Sequence, residues 1–501
     1  MQERTRAALA VIDSSTIDQG VRARRSSSPA IPAGLFLAAL VAALLVAPRA
    51  PLYWDTFGYV TQAFTGDVGG LGLGRPIFTF ANQLITRIWL AAGASPWLVE
   101  PVLRGWWTMV SCLTAPLTWR LALAVGCTHR AAFLAGAAVA FSPAFAHAGG
   151  AVLTDGAAAT LFVAACVAAL QTSAAGPVAS GVLAGLAVGT REQSVLNAAV
   201  FALLAFSLPT QRRVRFALLF AAAFLAAVLA PLAVVLLTQP GYLATVGTWL
   251  DGMRHDRALK SFGWSDVAIF SGWVLSFGPA VVVAAVIALV TRHRILLRPG
   301  TGWFALVVPS LGQLLMTGMF LGIGYSPRFL MTPFPVAIAL PGAIVLDAWI
   351  GRSRARVGVV AAALTVPILI AAPILRERSA GREAIVREWP ARISNLPSRT
   401  VIVTGQPCPA VPLVRAVIAH DPARTASVPD WQTVCPGWAW PKDLPATLDR
   451  LSNEGRLLAI DLRPGVWIGE EQQHARAEVE RYLERRGVTA ARSDPGILVW
   501  R

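Results

Sequence analysis

Long apolar runs, parted by short polar clusters, set the pattern of this chain. They lie at 32–48, 97–124, 130–148, 156–173, 177–190, 193–208, 216–238, 267–290, 302–323, 328–349 and 357–375. A helix needs about 20 apolar residues to cross a hydrocarbon core of about 30 Å. The pattern therefore predicts a mainly α, polytopic membrane helix bundle of about eleven spans. Two runs, 177–190 and 193–208, are short, and Thr190-Arg191-Glu192 stands between them. Two helices meeting at a polar notch lined by protein are expected there. The stretch 75–93 is interrupted by Asn82, Gln83, Thr86 and Arg87, and reads as an amphipathic helix on the membrane surface.

Beyond residue 375 the pattern changes. Residues 400–403 and 457–460 read as strands, and 443–453 and 470–486 as helices, the second through its Glu/Arg-laced face. A small α/β domain over 376–501 is the expectation. The organisation is then a tail at 1–31, a transmembrane domain at 32–375 with a first extracytoplasmic loop at 49–96, and the α/β domain.

Composition agrees. Of 501 residues, 55% are hydrophobic and 14% charged, with mean hydropathy +0.59. A soluble enzyme of this length carries more charge. The net charge of +16 would suit nucleic acid, but the arginines fall in short clusters between apolar runs. Those at Arg130, Arg212-Arg213-Arg215, Arg292-Arg294-Arg298 and Arg352-Arg354-Arg356 share one side if 75–93 does not cross, as cytoplasmic loops do. If 75–93 crosses, every later loop breaks that rule. The partner of the basic charge is thus a lipid bilayer and no nucleic acid. The N-terminus is cytoplasmic, with an uncleaved first span, since Ala50-Pro51 makes a poor cleavage site. Asp55, Asp155, Arg191-Glu192, the loop 239–266, Tyr325–Arg328 and everything after 375 fall on the extracytoplasmic side.

That side gathers the chemistry. In Tyr53-Trp54-Asp55-Thr56-Phe57-Gly58-Tyr59 a carboxylate stands among aromatics at the membrane lip, and a helix would put Asp55 and Tyr59 on one face. Asp155, in Val152-Leu153-Thr154-Asp155-Gly156, is either a helix cap or a second site carboxylate. Arg191 needs a partner at membrane depth, either Glu192 or a ligand phosphate. The loop 239–266 carries Arg254, Arg257 and Lys260 among Trp249, Phe262 and Trp264, as a surface helix or a site for an anionic headgroup. Arg328 is an interfacial snorkeller or a phosphate clamp. In the tail, Cys408 and Cys435 are the only cysteines, a candidate disulfide. Its tryptophans, Trp431, Trp438, Trp440 and Trp467, serve either a core or stacking on sugar rings. The histidines and cysteines show no metal-ligand spacing.

Taken in order, these features resemble the GT-C glycosyltransferases that use polyprenyl-phosphate sugars, in particular the aminoarabinose transferase and protein O-mannosyltransferase group. The resemblance covers about residues 32–350. It runs from Asp55 and Tyr59 through Arg75-Pro76, Glu100 and Arg104, Ser142-Pro143 and Leu153-Thr154-Asp155. It continues through Gly181-Val182-Leu183-Ala184-Gly185-Leu186-Ala187-Val188-Gly189-Thr190-Arg191 to Arg328-Phe329-Leu330. The chain departs from relatives at Thr56, where the mannosyltransferases have Glu after Asp. It departs again at Gly149-Gly150, where relatives carry a base and His147 is the nearest substitute.

The resemblance implies a multi-pass enzyme of a bacterial plasma (inner) membrane with an extracytoplasmic site. Asp55 would be the general base and Asp155 would share its site. Tyr59, Arg75, Arg191, Arg254, Arg257, Lys260 and Arg328 would hold the polyprenyl-phosphate-linked sugar. The acceptor would be a glycan, lipid or protein hydroxyl, and transfer would invert the sugar. No cofactor is implied, and a divalent metal stays open. A transporter or lipid flippase shares the spans and buried charges and is the competing reading, against which there is no visible repeat of the two halves.

Overall fold

The computed structural model describes residues 29–51, 53–68, 75–171, 173, 175–258, 264–316, 327–394, 396–405, 408, 410–422, 428–434, 444–463, 466–467, 470–487 and 497–500. It is a helical membrane protein with one small sheet. Its α-helices up to Thr190 are α1 (Ala30–Val46), α2 (Trp54–Thr65), α3 (Pro76–Ala91), α4 (Val99–Cys112), α5 (Thr114–Ala124), α6 (His129–Ala140), α7 (Pro143–Gly149), α8 (Thr154–Ala169) and α9 (Ala175–Thr190). A 3-10 helix, Glu192–Asn197, leads into α10 (Ala198–Phe206). Then follow α11 (Thr210–Thr238), α12 (Tyr242–Ala258), α13 (Trp264–Leu275), α14 (Pro279–Thr291), α15 (His293–Leu296) and α16 (Gly302–Met316). After a 3-10 turn at Pro327–Leu330 and a π-helix at Pro335–Ala339 come α17 (Leu340–Ile350) and α18 (Arg354–Ile393).

Each of the eleven apolar runs is helical where described, but several are broken. Only α11 and α18 are by themselves long and apolar enough to cross a membrane among the described residues. Two more crossings result if α6–α7, bent by 56°, and α13–α14, bent by 105°, each count as one. The first bend falls at Ser142-Pro143, where the Ser142 hydroxyl accepts the Phe145 N–H at 3.3 Å and starts a new helix. The second falls at Gly278, whose φ of +132° suits only glycine. The run at 357–375 continues as a single helix to Ile393, well past its apolar end. Within the stretch 75–93, Pro76–Ala91 is one helix, α3, whose Asn82, Gln83 and Thr86 are buried while Leu84 and Ile88 are exposed.

The chain forms two compact units. The first holds the residues up to Ala47, Val68–Ala81 and Arg104–Ile374. Its tightest helix pair is α9 against α11, and α9 also packs on α8. The glycines of α9 explain the first approach. A Cβ at Gly181 would lie 2.4 Å from the Phe220 carbonyl oxygen, and one at Gly185 would lie 2.8 Å from that of Phe224. Between apolar helices, where no hydrophobic drive favours association, such backbone proximity is what supplies dispersion contact.

The second unit holds Pro48–Asp67, Asn82–Leu103 and the residues from Leu375 onward. Its sheet is built from β1 (Thr400–Val403), β2 (Gln432–Val434), β3 (Leu457–Asp461) and β4 (Ile497–Trp500), in the order β2-β1-β3-β4. Helices α19 (Ala410–Ala419), α20 (Leu444–Asn453) and α21 (Glu470–Arg485) make the connections. β1 runs parallel to β2 and β3, and β4 returns antiparallel to β3, with Leu458 opposite Trp500. Parallel neighbours need such crossover helices. Alternate residues of β1 feed opposite cores: Val401 and Val403 meet α20 and α21, and Ile402 meets α19. Trp431 and Trp467 are buried, which makes them core residues and not a sugar-stacking surface. Trp438 and Trp440 lie outside the described residues.

Candidate active site

The site of the first unit starts from one buried guanidinium. Helix α9 ends at Thr190, and Arg191 adopts an extended conformation, φ −153° and ψ 114°, before the 3-10 helix begins. Successive side chains in extended backbone point apart. Arg191 and Glu192 accordingly leave the notch in different directions and do not pair with each other.

Arg191 Nη1 is bonded to Oδ1 of Asp155, and both side chains are almost wholly buried. The same Nη1 lies 3.5 Å from the Thr154 hydroxyl, and Nε donates to Gln193 Oε1 at 2.8 Å. Asp155 stands in the first turn of α8, but no side chain caps that helix. Its carboxylate is therefore committed to Arg191 instead of the cap. Glu192 takes Arg75 in a two-pronged pair, Nε–Oε2 at 3.1 Å and Nη2–Oε1 at 3.3 Å. Arg75 has φ +45°, rare for a side-chain-bearing residue, and it immediately precedes Pro76. Such a backbone costs on the order of 1–3 kcal/mol and persists only where neighbouring contacts over-determine it. The fork to Glu192 is one of those contacts.

Phe329 joins the group. The Arg191 guanidinium carbon lies 4.7 Å from its ring centre and that of Arg328 lies 5.1 Å away. The charges of Asp155, Arg75, Arg328 and Glu192 all act on Arg191. Arg191 thus stands among two carboxylates and two further guanidinium groups. One further valence is open: Arg191 Nη2 is buried with no hydrogen-bond partner among the described residues. A buried donor left so costs about 1–3 kcal/mol. An anionic oxygen at Nη2 would satisfy it.

The other residues singled out from the sequence fall elsewhere. Asp55 lies half-buried in the first turn of α2, and Tyr59, one turn later, is buried; both belong to the second unit. Arg254 and Arg257 are on α12, but their side chains, like all of Lys260, Tyr325 and Ser326, lie outside the described residues. His147 Nδ1 sits 2.7 Å from the Val46 carbonyl oxygen, a packing tie within the first unit. Cys408 is buried and disulfide-bonded, and Cys435 lies outside the described residues. Among the described residues no group of three or more His, Cys, Asp or Glu is placed to hold a metal ion. The fork from Glu192 to Arg75 and the ring of Phe329 leave no mark in the sequence pattern. Sequence adjacency points Glu192 to Arg191 and not to Arg75, and a lone Phe carries no signal.

No family model matches the sequence, and no curated protein matches it either. Solved structures do. ArnT from Cupriavidus metallidurans, bound to undecaprenyl phosphate, superposes with a TM-score of 0.56 at 13% identity, covering 86% of this chain and 92% of ArnT. The apo form of that protein gives 0.55 with the same coverage. The archaeal oligosaccharyltransferase AglB from Archaeoglobus fulgidus, in complex with an inhibitory peptide and a dolichol-phosphate, gives 0.51 at 13% identity, covering 86% of this chain and 69% of AglB. Both are GT-C glycosyltransferases. This chain shares their fold. At this identity the likeness is one of fold, and within it this chain carries its own cluster of Arg75, Asp155, Arg191, Glu192 and Arg328.

Proposed function

We propose that this protein is a membrane glycosyltransferase that moves a sugar from a polyprenyl-phosphate carrier to a hydroxyl acceptor, on the extracytoplasmic face and with inversion. The observation that carries the reading is the buried Arg191, held by Asp155 and left with an open Nη2 among the described residues. The GT-C fold supports it further, since the similar structures were solved with undecaprenyl phosphate and dolichol-phosphate.

A lipid phosphate leaves as a stable anion and needs cations more than a proton. Arg191, with Arg75 and Arg328, would stabilise the charge on its oxygens as it departs. Arg254, Arg257 and Lys260 are further candidates for the headgroup. The acceptor hydroxyl needs a base. Asp55 would take its proton while the acceptor oxygen bonds to the anomeric carbon. The bond from that carbon to the phosphate oxygen breaks, and its electron pair goes with the phosphate. Asp155 acts through Arg191, fixing the direction of the guanidinium. Tyr59, on the face of α2 that carries Asp55, would help seat the acceptor.

The test is transfer from a panel of radiolabelled undecaprenyl-phosphate pentoses and hexoses by the purified protein in nanodiscs. Asp55→Asn should abolish transfer and leave undecaprenyl phosphate binding intact. Full activity in that variant would overturn the assignment of the base. Movement of the lipid-linked sugar across vesicles without transfer would overturn the enzyme reading.

A further inference from the structure

Helix α2, which carries Asp55, is built into the fold of the C-terminal domain. It has 12 residues, too few to be stable without tertiary packing. That packing comes from α19. Phe57, two residues past Asp55, is 3% exposed and shares a core with Trp389 and Ile393 of α18, Ile402 of β1, and Val414. Toward the other end of α2, the Phe64 ring centre lies 5.2 Å from that of His420.

The chain leading into α2 is held by its backbone. The Arg49 N–H donates to Glu383 Oε1 at 2.8 Å, across 334 positions of sequence. The Arg49 carbonyl accepts from Arg387 Nη2 at 3.4 Å. Glu383 and Arg387 are four apart on α18 and so lie on one face. Two side chains a turn apart thus satisfy both backbone groups of one residue, five positions before α2 begins. Glu383 is 9% exposed, so its bond to Arg49 is shielded from competing water.

We propose that the C-terminal domain is the mount of the catalytic helix, with Glu383 as a positioning residue. Glu383 and Arg387 clamp Arg49, Phe57 seats the first turn of α2, and together they hold the Asp55 carboxylate in its orientation for proton removal. This rests on the reading of Asp55 as the base. It assigns the domain a part in the rate of the chemical step, independent of donor binding.

The experiment uses the full chain in nanodiscs, with Glu383→Ala, Glu383→Gln, Arg387→Ala and Phe57→Leu. Two measurements are made: kcat and KM with the most active sugar of the undecaprenyl-phosphate panel, and hydrogen exchange over residues 54–65. A misplacement of about 1 Å costs on the order of 100-fold in rate. Glu383→Ala is expected to lower kcat by about 10–100-fold at unchanged donor KM and unchanged undecaprenyl phosphate binding. Exchange in α2 should rise, with none in α8 or α9. Glu383→Gln retains a carbonyl acceptor and should stay within about 3-fold of the parent protein. Arg387→Ala and Phe57→Leu should shift kcat and α2 exchange in the same direction, and they carry the test if Glu383→Ala is not recovered folded. Parent-like kcat and α2 exchange in the folded variants would overturn the proposal. Should the parent protein transfer no sugar, the enzyme reading fails, and raised α2 exchange in Glu383→Ala would still establish the clamp.

Discussion

Arg191 is bonded to Asp155, 36 residues away, although Glu192 is its neighbour in sequence. The pairing divides the labour of the notch. One carboxylate orients the guanidinium with the open Nη2, and the other neutralises Arg75 beside it.

Breaking that pair should be costly. Removing one partner of a buried ion pair leaves an uncompensated charge, worth about 3–5 kcal/mol. Asp155→Ala is expected to lower the thermal midpoint of the protein in nanodiscs and to weaken undecaprenyl phosphate binding. Arg191→Ala should do the same. The double variant should be less destabilised than the two losses added, because neither charge is then stranded. Additive losses in a melting series would show that the two do not act as a pair.

Asp55→Asn should reduce kcat by about 10²–10⁴-fold, the usual contribution of a general base. KM for the donor should change little, since the phosphate is assigned to Arg75, Arg191 and Arg328. A matched rise in donor KM would place Asp55 in donor binding.

Gly185 tests how Arg191 is delivered. Its Cβ would meet the Ala227 Cβ at 2.6 Å and the Phe224 carbonyl oxygen at 2.8 Å. Overpacking costs about 1–3 kcal/mol. Gly185→Val should therefore force α9 from α11, lower the melting midpoint and weaken undecaprenyl phosphate binding. Gly105→Ala is the control, since a Cβ there meets nothing within 4 Å.

Acid should loosen the C-terminal domain at Asp449. Hydrogen bonds from Tyr482, at 2.6 Å, and from Arg486 hold its carboxyl below the usual value of 3.8. A carboxyl whose pKa is lower folded than unfolded contributes stability that is complete above the unfolded value and is lost as pH falls through the folded one. Exchange in α20 and α21 should thus rise as pH drops below about 4. Asp449→Asn should show the raised exchange at neutral pH and lose that acid-dependent component. On the alkaline side, burial pushes Tyr482 up to about 12, with its bond to Asp449 adding to the effect. Its contribution is complete below the ordinary phenol value of 10 and is lost as pH climbs towards 12.

The sequence by itself determined the class of the fold and the individual suspects. Apolar runs of membrane length are forced by bilayer thickness, and a carboxylate or guanidinium beside them is conspicuous because its desolvation is costly. Asp55, Asp155, Arg191 and Arg328 were legible for that reason, as were β1 and β3 from their apolar runs. Composition marks where an apolar surface ends, not where a helix does, so α18 ran on to Ile393 unannounced. β2 and β4, of three and four residues, are too short to show a period.

Only the tertiary structure decided who meets whom. An extended residue at the end of α9 sent Arg191 to Asp155 and Glu192 to Arg75, the latter across 117 positions. The backbone of Arg49 found Glu383 across 334. Pairings of that separation depend on how helices stack and carry no local signature, since each partner taken alone is an ordinary polar residue. The structure thereby turned the helix of Asp55 from a loop feature into part of the C-terminal fold.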